Sequence, residues 1–134
     1  MPLREGSKEV VRYLTIEQRE SLQRQLSDRA AALRDEIAAA LRRSGDPGAV
    51  GLANHLDEID DEAVADLESS IEIAEIERDF RELRRAERAL ERLHTPDYGV
   101  CTDCGADIPY SRLSAEPSAT RCVACQTRAE LSRG

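Results

Sequence analysis

Four cysteines carry the clearest chemistry in this chain. Two residues separate Cys101 from Cys104, two separate Cys122 from Cys125, and seventeen lie between the pairs. A two-residue gap lets both sulfurs of a pair reach one ion, so C-x2-C-x17-C-x2-C reads as a single zinc site. Gly105 permits the tight turn behind Cys104. Four thiolates leave zinc no open coordination position, which makes the one metal ion structural rather than catalytic. A redox reading of Cys-x-x-Cys needs a strand–helix–strand context that these flanks lack. His94 lies near the first pair, but with four thiols at hand it reads as a helix-end residue, and His55 as part of a connector. There is no phosphate loop, no H-E-x-x-H, no G-x-S-x-G and no convincing nucleophile–base pair, so no enzyme is expected.

The elements that must position this site are helical. Thr15 and Gln18 have capping-box spacing, with Glu17 in the first turn, and predict a helix start at Thr15. Leu22, Leu26, Ala30, Leu33, Ile37 and Leu41 then recur at three- and four-residue spacing as one apolar stripe. Arg42 and Arg43 suit the C-terminal end of the dipole, and Ser44-Gly45-Asp46-Pro47-Gly48 stops the helix. A connector follows to about residue 60, in which Leu52 and Leu56 suggest a short helical turn. The second helix is expected from about Asp61 to His94. Its stripe is Leu67, Ile71, Ala74, Ile76, Phe80, Leu83, Leu90 and Leu93, with Ile73 beside it. Ile76, Leu83 and Leu90 are spaced by sevens, as the seam of an antiparallel hairpin requires. Pro96 ends it.

The expected fold is mainly α: a long antiparallel coiled-coil hairpin with a small four-cysteine zinc-finger base and a C-terminal helix. Residues 1–14 form an N-terminal segment, in which Val10, Val11, Tyr13 and Leu14 could pack. Residues 15–94 form the hairpin, with an acidic tip at about 44–63, and residues 95–134 the zinc module. The module's final helix runs from Cys122 to about Arg133, its first amides free to donate to thiolate sulfur. At a 1.5 Å rise per residue the two long helices would measure about 43–51 Å.

Composition agrees. Of 134 residues 34% are charged, 3% are aromatic and none is Trp, which suits amphipathic helices better than a large core. The net charge of −8 is unevenly placed: between Ser44 and Glu77 there are eleven acids and no Lys or Arg. Such a segment argues against wrapping a phosphate backbone. Most of these acids read as a solvated helix face, but such a face usually mixes signs to gain i,i+4 pairs, so that reading explains the lack of bases poorly. The N-terminus lacks a signal-peptide pattern and no apolar run is long enough to span a membrane, so the cytosol is the expected location. There thiols stay reduced, in keeping with metal ligation.

From about Thr15 onward the chain resembles the DksA/TraR family of bacterial transcription regulators. The resemblance rests on Tyr98-Gly-Val-Cys101-Thr-Asp-Cys104-Gly105, Ile108-Pro109, Arg112-Leu113, Ala115-Glu116-Pro117 and Cys122-Val-Ala-Cys125. It implies an antiparallel coiled coil rising from a globular zinc-finger base. It also implies a bacterial RNA polymerase as partner, with the coiled coil inserted into the secondary channel to alter initiation without touching DNA. The family's tip motif Asp-x-x-Asp-x-Ala falls, without gaps, on Glu58, Asp61 and Ala63, so its first acid is one methylene longer here. Asp57 and Asp60 share the i,i+3 spacing without the Ala. Arg78 matches a polymerase-contacting arginine, although its spacing to Glu82 equally suits a surface pair. The basic positions behind the family's response to guanosine tetraphosphate fall on Arg85, Glu116 and Gln126, of which only Arg85 is a cation. Weak or absent alarmone dependence is implied, because Glu116 would repel a polyanion.

Two other classes compete. A nucleic-acid-binding zinc-finger factor would need a basic, groove-facing helix near the metal. Arg121, Arg128 and Arg133 lie there, but with Glu130 and no aromatic interleaving. A coiled-coil adaptor would assemble with itself or with another protein, whereas the polymerase-regulator reading expects a monomer.

Overall fold

The computed structural model describes residues 13–44, 47–58 and 71–133. Its elements are α1 (Ile16–Arg43), α2 (Pro47–Ala53), a 3-10 turn (Leu56–Glu58), α3 (Ile71–Arg92), α4 (Tyr110–Ala115) and α5 (Val123–Arg133). No strand occurs among the described residues, only an isolated antiparallel bridge between Val100 and Asp107. The fold is mainly α, built on α1 and α3. The first ten residues expected of the second helix lie outside the described residues, as do Val10, Val11, Asp61 and Ala63.

α1 starts where its cap dictates. The Thr15 amide donates to Gln18 Oε1 and the Gln18 amide to Thr15 Oγ1, both at 3.0 Å, which closes the reciprocal capping box. Every residue of its expected stripe, from Leu22 to Leu41, is buried. α3 departs from its expected pattern. Ile76, Phe80, Leu83 and Leu93 are buried, but Ala74 is exposed and Leu90 only half-buried, while Ala86 and Ala89 are covered instead. A strict repeat of seven drifts about 20° per heptad on an uncoiled helix, so the third member of the Ile76–Leu83–Leu90 series rotates off the seam.

By packing, the chain divides into two units, Met1–Ser27 with Ala86–Gly134, and Asp28–Arg85. In the second, Arg29 donates from Nε and Nη2 to the two oxygens of Glu82 at 2.7 and 3.0 Å, a bidentate clasp between antiparallel helices. Glu82 is therefore engaged by Arg29 rather than by the Arg78 four residues before it. That clasp outweighs the opposing effect of partial burial and holds the Glu82 carboxyl below its ordinary range. The connector folds onto α1. Pro47 occupies the first position of α2, where its missing N–H costs nothing, and Ala49 and Ala53 are buried. Arg34 pairs with Asp57 at 3.3 Å and Arg42 donates to Asn54 Oδ1 at 3.2 Å.

In the first unit, Arg19 Nη1 donates to the Leu93 carbonyl at 3.0 Å and Gln25 Nε2 to the Ser114 carbonyl at 2.9 Å. Leu14, Leu22, Leu26, Leu93, Tyr98, Ile108 and Leu113 form its core. Tyr13 donates its hydroxyl to the Ile108 carbonyl and lies against Gly99, whose φ is +84°. Burial, and then the nearby Asp107 carboxylate, push the Tyr13 hydroxyl up to about 12. Tyr98 donates to the Pro117 carbonyl at 2.8 Å, and burial raises it too. The helix α4 was not expected from sequence: six residues after Pro109 are too few to show a period. No helix among the described residues is long and apolar enough to cross a membrane.

Candidate metal centre

Two short turns and the first turn of α5 hold the four sulfurs. The first is framed by the Val100–Asp107 bridge, with the Ile108 amide donating to the Gly99 carbonyl at 2.7 Å and the Cys101 amide to the Ala106 carbonyl at 2.8 Å. Within it the Gly105 amide returns to the Cys101 carbonyl at 3.0 Å. That closure puts Gly105 at a φ of +77°, the left-handed conformation that glycine adopts without a Cβ clash. The second turn ends at Cys122, immediately before α5, where the Gln126 amide reaches the Cys122 carbonyl at 2.9 Å.

Groups that are not ligands clasp the turns together. The Thr102 amide and hydroxyl donate to the Thr120 carbonyl at 2.8 and 3.1 Å. Arg121 Nε donates to Asp103 Oδ2 at 2.9 Å, joining the residue before Cys122 to the residue before Cys104. Arg112 Nε, on α4, donates to the Arg121 carbonyl at 2.9 Å. Sequence reading missed these clasps, because side-chain pairs between turns leave no periodic trace.

All four Sγ atoms lie within 4.8 Å of one another, and Cys104 and Cys122 Sγ are 3.9 Å apart. A tetrahedron with zinc–sulfur bonds of about 2.3 Å has edges of about 3.8 Å, so the residues fit the ion. The cysteines are free of disulfides. Cys101 and Cys125 are buried, Cys122 is intermediate and Cys104 exposed. Burial raises the Cys101 thiol, yet the amides of Cys122, Cys104 and Asp103 outweigh it and bring the group down to about 6. Cys125 is pushed up to about 12, first by burial and then by its bonds with the other three sulfurs. A cation that binds them all as thiolates removes this mutual repulsion. His94 is not among the clustered ligands.

Glu58 ends the 3-10 turn with its side chain 80% exposed and its carboxylate 3.8 Å from His55 Nδ1. Asp61 and Ala63 fall outside the described residues. Arg78 is exposed on α3, its Nε 3.8 Å from Asp79. Arg85 is exposed on the same helix. Glu116 lies 3.7 Å from Arg112, and Gln126 donates to Glu130 at 2.8 Å while accepting from Arg121 at 3.5 Å.

A helical protein with a four-thiolate centre clasped between two Cys-x-x-Cys turns is a C4-type zinc-finger protein. Residues 96–131 match the family model described as the prokaryotic dksA/traR C4-type zinc finger. The RNA polymerase-binding transcription factor DksA of Escherichia coli and that of Salmonella typhimurium are each 32% identical over 99 residues, 74% of this chain. The chain spans 62% of the length of these relatives. The factor of the same name from Haemophilus influenzae is 37% identical over 71 residues, 53% of this chain and 49% of that one. In fold, the chain is similar to transcription factor DksA2 from Pseudomonas aeruginosa, with a TM-score of 0.60, 22% identity, and coverage of 90% of this chain and 89% of that one. The chain belongs to the DksA/TraR family, and its four cysteines are the ligands of one structural zinc.

Proposed function

We propose that this chain is a non-enzymatic regulator of transcription that binds bacterial RNA polymerase and works through the acidic end of its hairpin. The observation that carries the reading is the clasped four-cysteine module, joined to relatives named as RNA polymerase-binding transcription factors. A cytoplasmic monomer inserting its hairpin into the secondary channel is the mode the resemblance suggests. In it Glu58, Asp61 and Ala63 act near the catalytic magnesium and Arg78 contacts the polymerase. The exposure of Glu58, on a segment whose neighbour Asp57 is held by Arg34, supports a carboxylate presented outward. The nucleic-acid-binding alternative is disfavoured, because Arg121 is committed to Asp103 and Arg128 to Cys125 Sγ.

Guanosine tetraphosphate contributes little in this reading. Glu116 adds an anion beside Arg112, Gln126 offers no charge, and Arg85 alone is a cation. Each lost charge-assisted bond is worth about 1.5–3 kcal/mol.

The test is capture of purified core polymerase, followed by multi-round transcription from a ribosomal-type promoter with and without the nucleotide. Asp61→Asn should abolish regulation while leaving binding within a few fold, and the parent should show little nucleotide synergy. Failure to bind polymerase would sink the proposal. A fully active Asp61→Asn would remove the tip assignment alone, and strong synergy would remove the alarmone reading alone.

A further inference from the structure

We propose that Arg128 is a positioning residue of the zinc centre, one that makes Cys125 the last ligand to leave the metal. Arg128 lies three residues beyond Cys125 on α5, and its Nη2 donates to Cys125 Sγ at 3.0 Å. The four ligands are otherwise unequally supported. Cys101, 2% exposed, takes its hydrogen bonds from the amides of its own turn and of Cys122. Cys125 is equally buried and takes a donor from a side chain. Cys104 is exposed.

Zinc with four thiolates carries a net charge of −2, and a buried anion of that size needs nearby positive charge. Guanidinium is the suitable group, because it stays protonated at any pH the fold experiences and its fork has a fixed geometry. Donation to a coordinated sulfur draws electron density from it. It also fixes the direction of the lone pair that faces the metal. Arg128 therefore gives Cys125 an outer hydrogen-bond partner from its own helix. Attack by an electrophile, or by a competing chelator, is directed to the exposed Cys104 edge.

The test uses the full chain and two substitutions at an exposed helical position, Arg128→Met and Arg128→Lys. Zinc affinity is measured by chelator competition, and sulfur electronics by the sulfur-to-metal charge-transfer band of the cobalt-substituted protein. The order of cysteine alkylation during zinc withdrawal is read by mass spectrometry. Arg128→Met should weaken zinc about 10–100-fold, the usual effect of losing an outer partner of a ligand. It should also shift the charge-transfer band to lower energy and advance Cys125 in the alkylation order. Arg128→Lys, which keeps the charge without the fork, should fall between Arg128→Met and the parent. Zinc affinity of Arg128→Met within twofold of the parent overturns the proposal. So does weaker affinity with an unmoved band and an unchanged alkylation order, since Arg128 would then support the helix and not the sulfur. A parent that binds no zinc removes the metal centre itself, and this proposal with it.

Discussion

Replacing Gly99 by alanine would load two separable penalties onto one position. The first is conformational: at a φ of +84° an L side chain is strained, at a cost of about 1–2 kcal/mol. The second is steric. A Cβ at Gly99 would sit 3.2 Å from the Tyr13 hydroxyl oxygen and 3.3 Å from Tyr13 Cε1, so the ring must retreat by a few tenths of an ångström. That retreat loosens the hydrogen bond from Tyr13 to the Ile108 carbonyl, worth about 0.5–1.5 kcal/mol. Reduced freedom of the unfolded chain returns about 0.4–1 kcal/mol. The net expectation for Gly99→Ala is a loss of roughly 2 kcal/mol. The assay is denaturant unfolding of the zinc-loaded protein, repeated in a Tyr13→Ala background. There the conformational penalty remains and the steric one vanishes, so the cost of Gly99→Ala should drop by about 1 kcal/mol. Equal costs in both backgrounds would falsify the contact between Tyr13 and Gly99, and a cost near zero in both would remove the strain argument as well. The pair also has an alkaline signature. Tyr13 titrates higher in the fold, at about 12 against an ordinary 10.0, so its contribution is complete below pH 10 and is lost as pH rises toward 12. The stability difference between the parent and Tyr13→Phe should shrink over that window.

Zinc removal should melt the tertiary packing of the cysteine-bearing unit while much of the helical signal survives. Binding energies of about 10–16 kcal/mol for structural zinc rival the stability of a whole domain. Metal analysis should find one zinc per chain, and Cys122→Ser should lower the melting temperature sharply; unchanged melting after chelation would contradict both. The Arg29–Glu82 clasp predicts an acid-sensitive increment. Glu82 titrates below its ordinary 4.5 in the fold, so the increment is present above that value and lost as pH falls through the folded one. Both side chains are partly exposed, which limits the increment to about 1 kcal/mol or less. Arg29→Met should therefore differ from the parent at pH 7 and converge with it near pH 3; a constant difference would argue for packing instead.

What could be read in the sequence was what repeats or sits at fixed spacing. The capping box at Thr15, the α1 stripe from Leu22 to Leu41 and the two cysteine pairs each depend on residues within a few positions of one another. The α3 seam was harder, because Leu90 and the Ala86–Ala89 pair compete for the inner face, and hydrophobicity alone favours the leucine. Which wins depends on the facing helix, information that α3 does not contain. The second-helix stretch before Ile71, with Asp61 and Ala63, lies outside the described residues. The Arg121–Asp103 and Arg128–Cys125 contacts were hidden for different reasons. The first joins residues eighteen positions apart across two irregular turns. The second had a usable signal, an arginine one helical turn beyond a ligand, which composition presented as general basicity.

The small residues in α3 have a consequence for how the hairpin finds its alignment. Arg19 bonded to the Leu93 carbonyl sets a register in which Leu22 and Leu26 fall at the levels of Ala89–Leu90 and Ala86. At these two levels a leucine on α1 is thus opposite alanine on α3. A slip by one heptad toward the start of α3 would bring Leu22 level with Leu83 and Leu26 level with Phe80, crowding large residues on large ones. Overpacking of that kind costs about 1–3 kcal/mol. Coiled coils built from uniform leucine slide among near-equivalent alignments. Here the leucine–alanine pairing at the base of the hairpin acts as a vernier that disfavours the misaligned register.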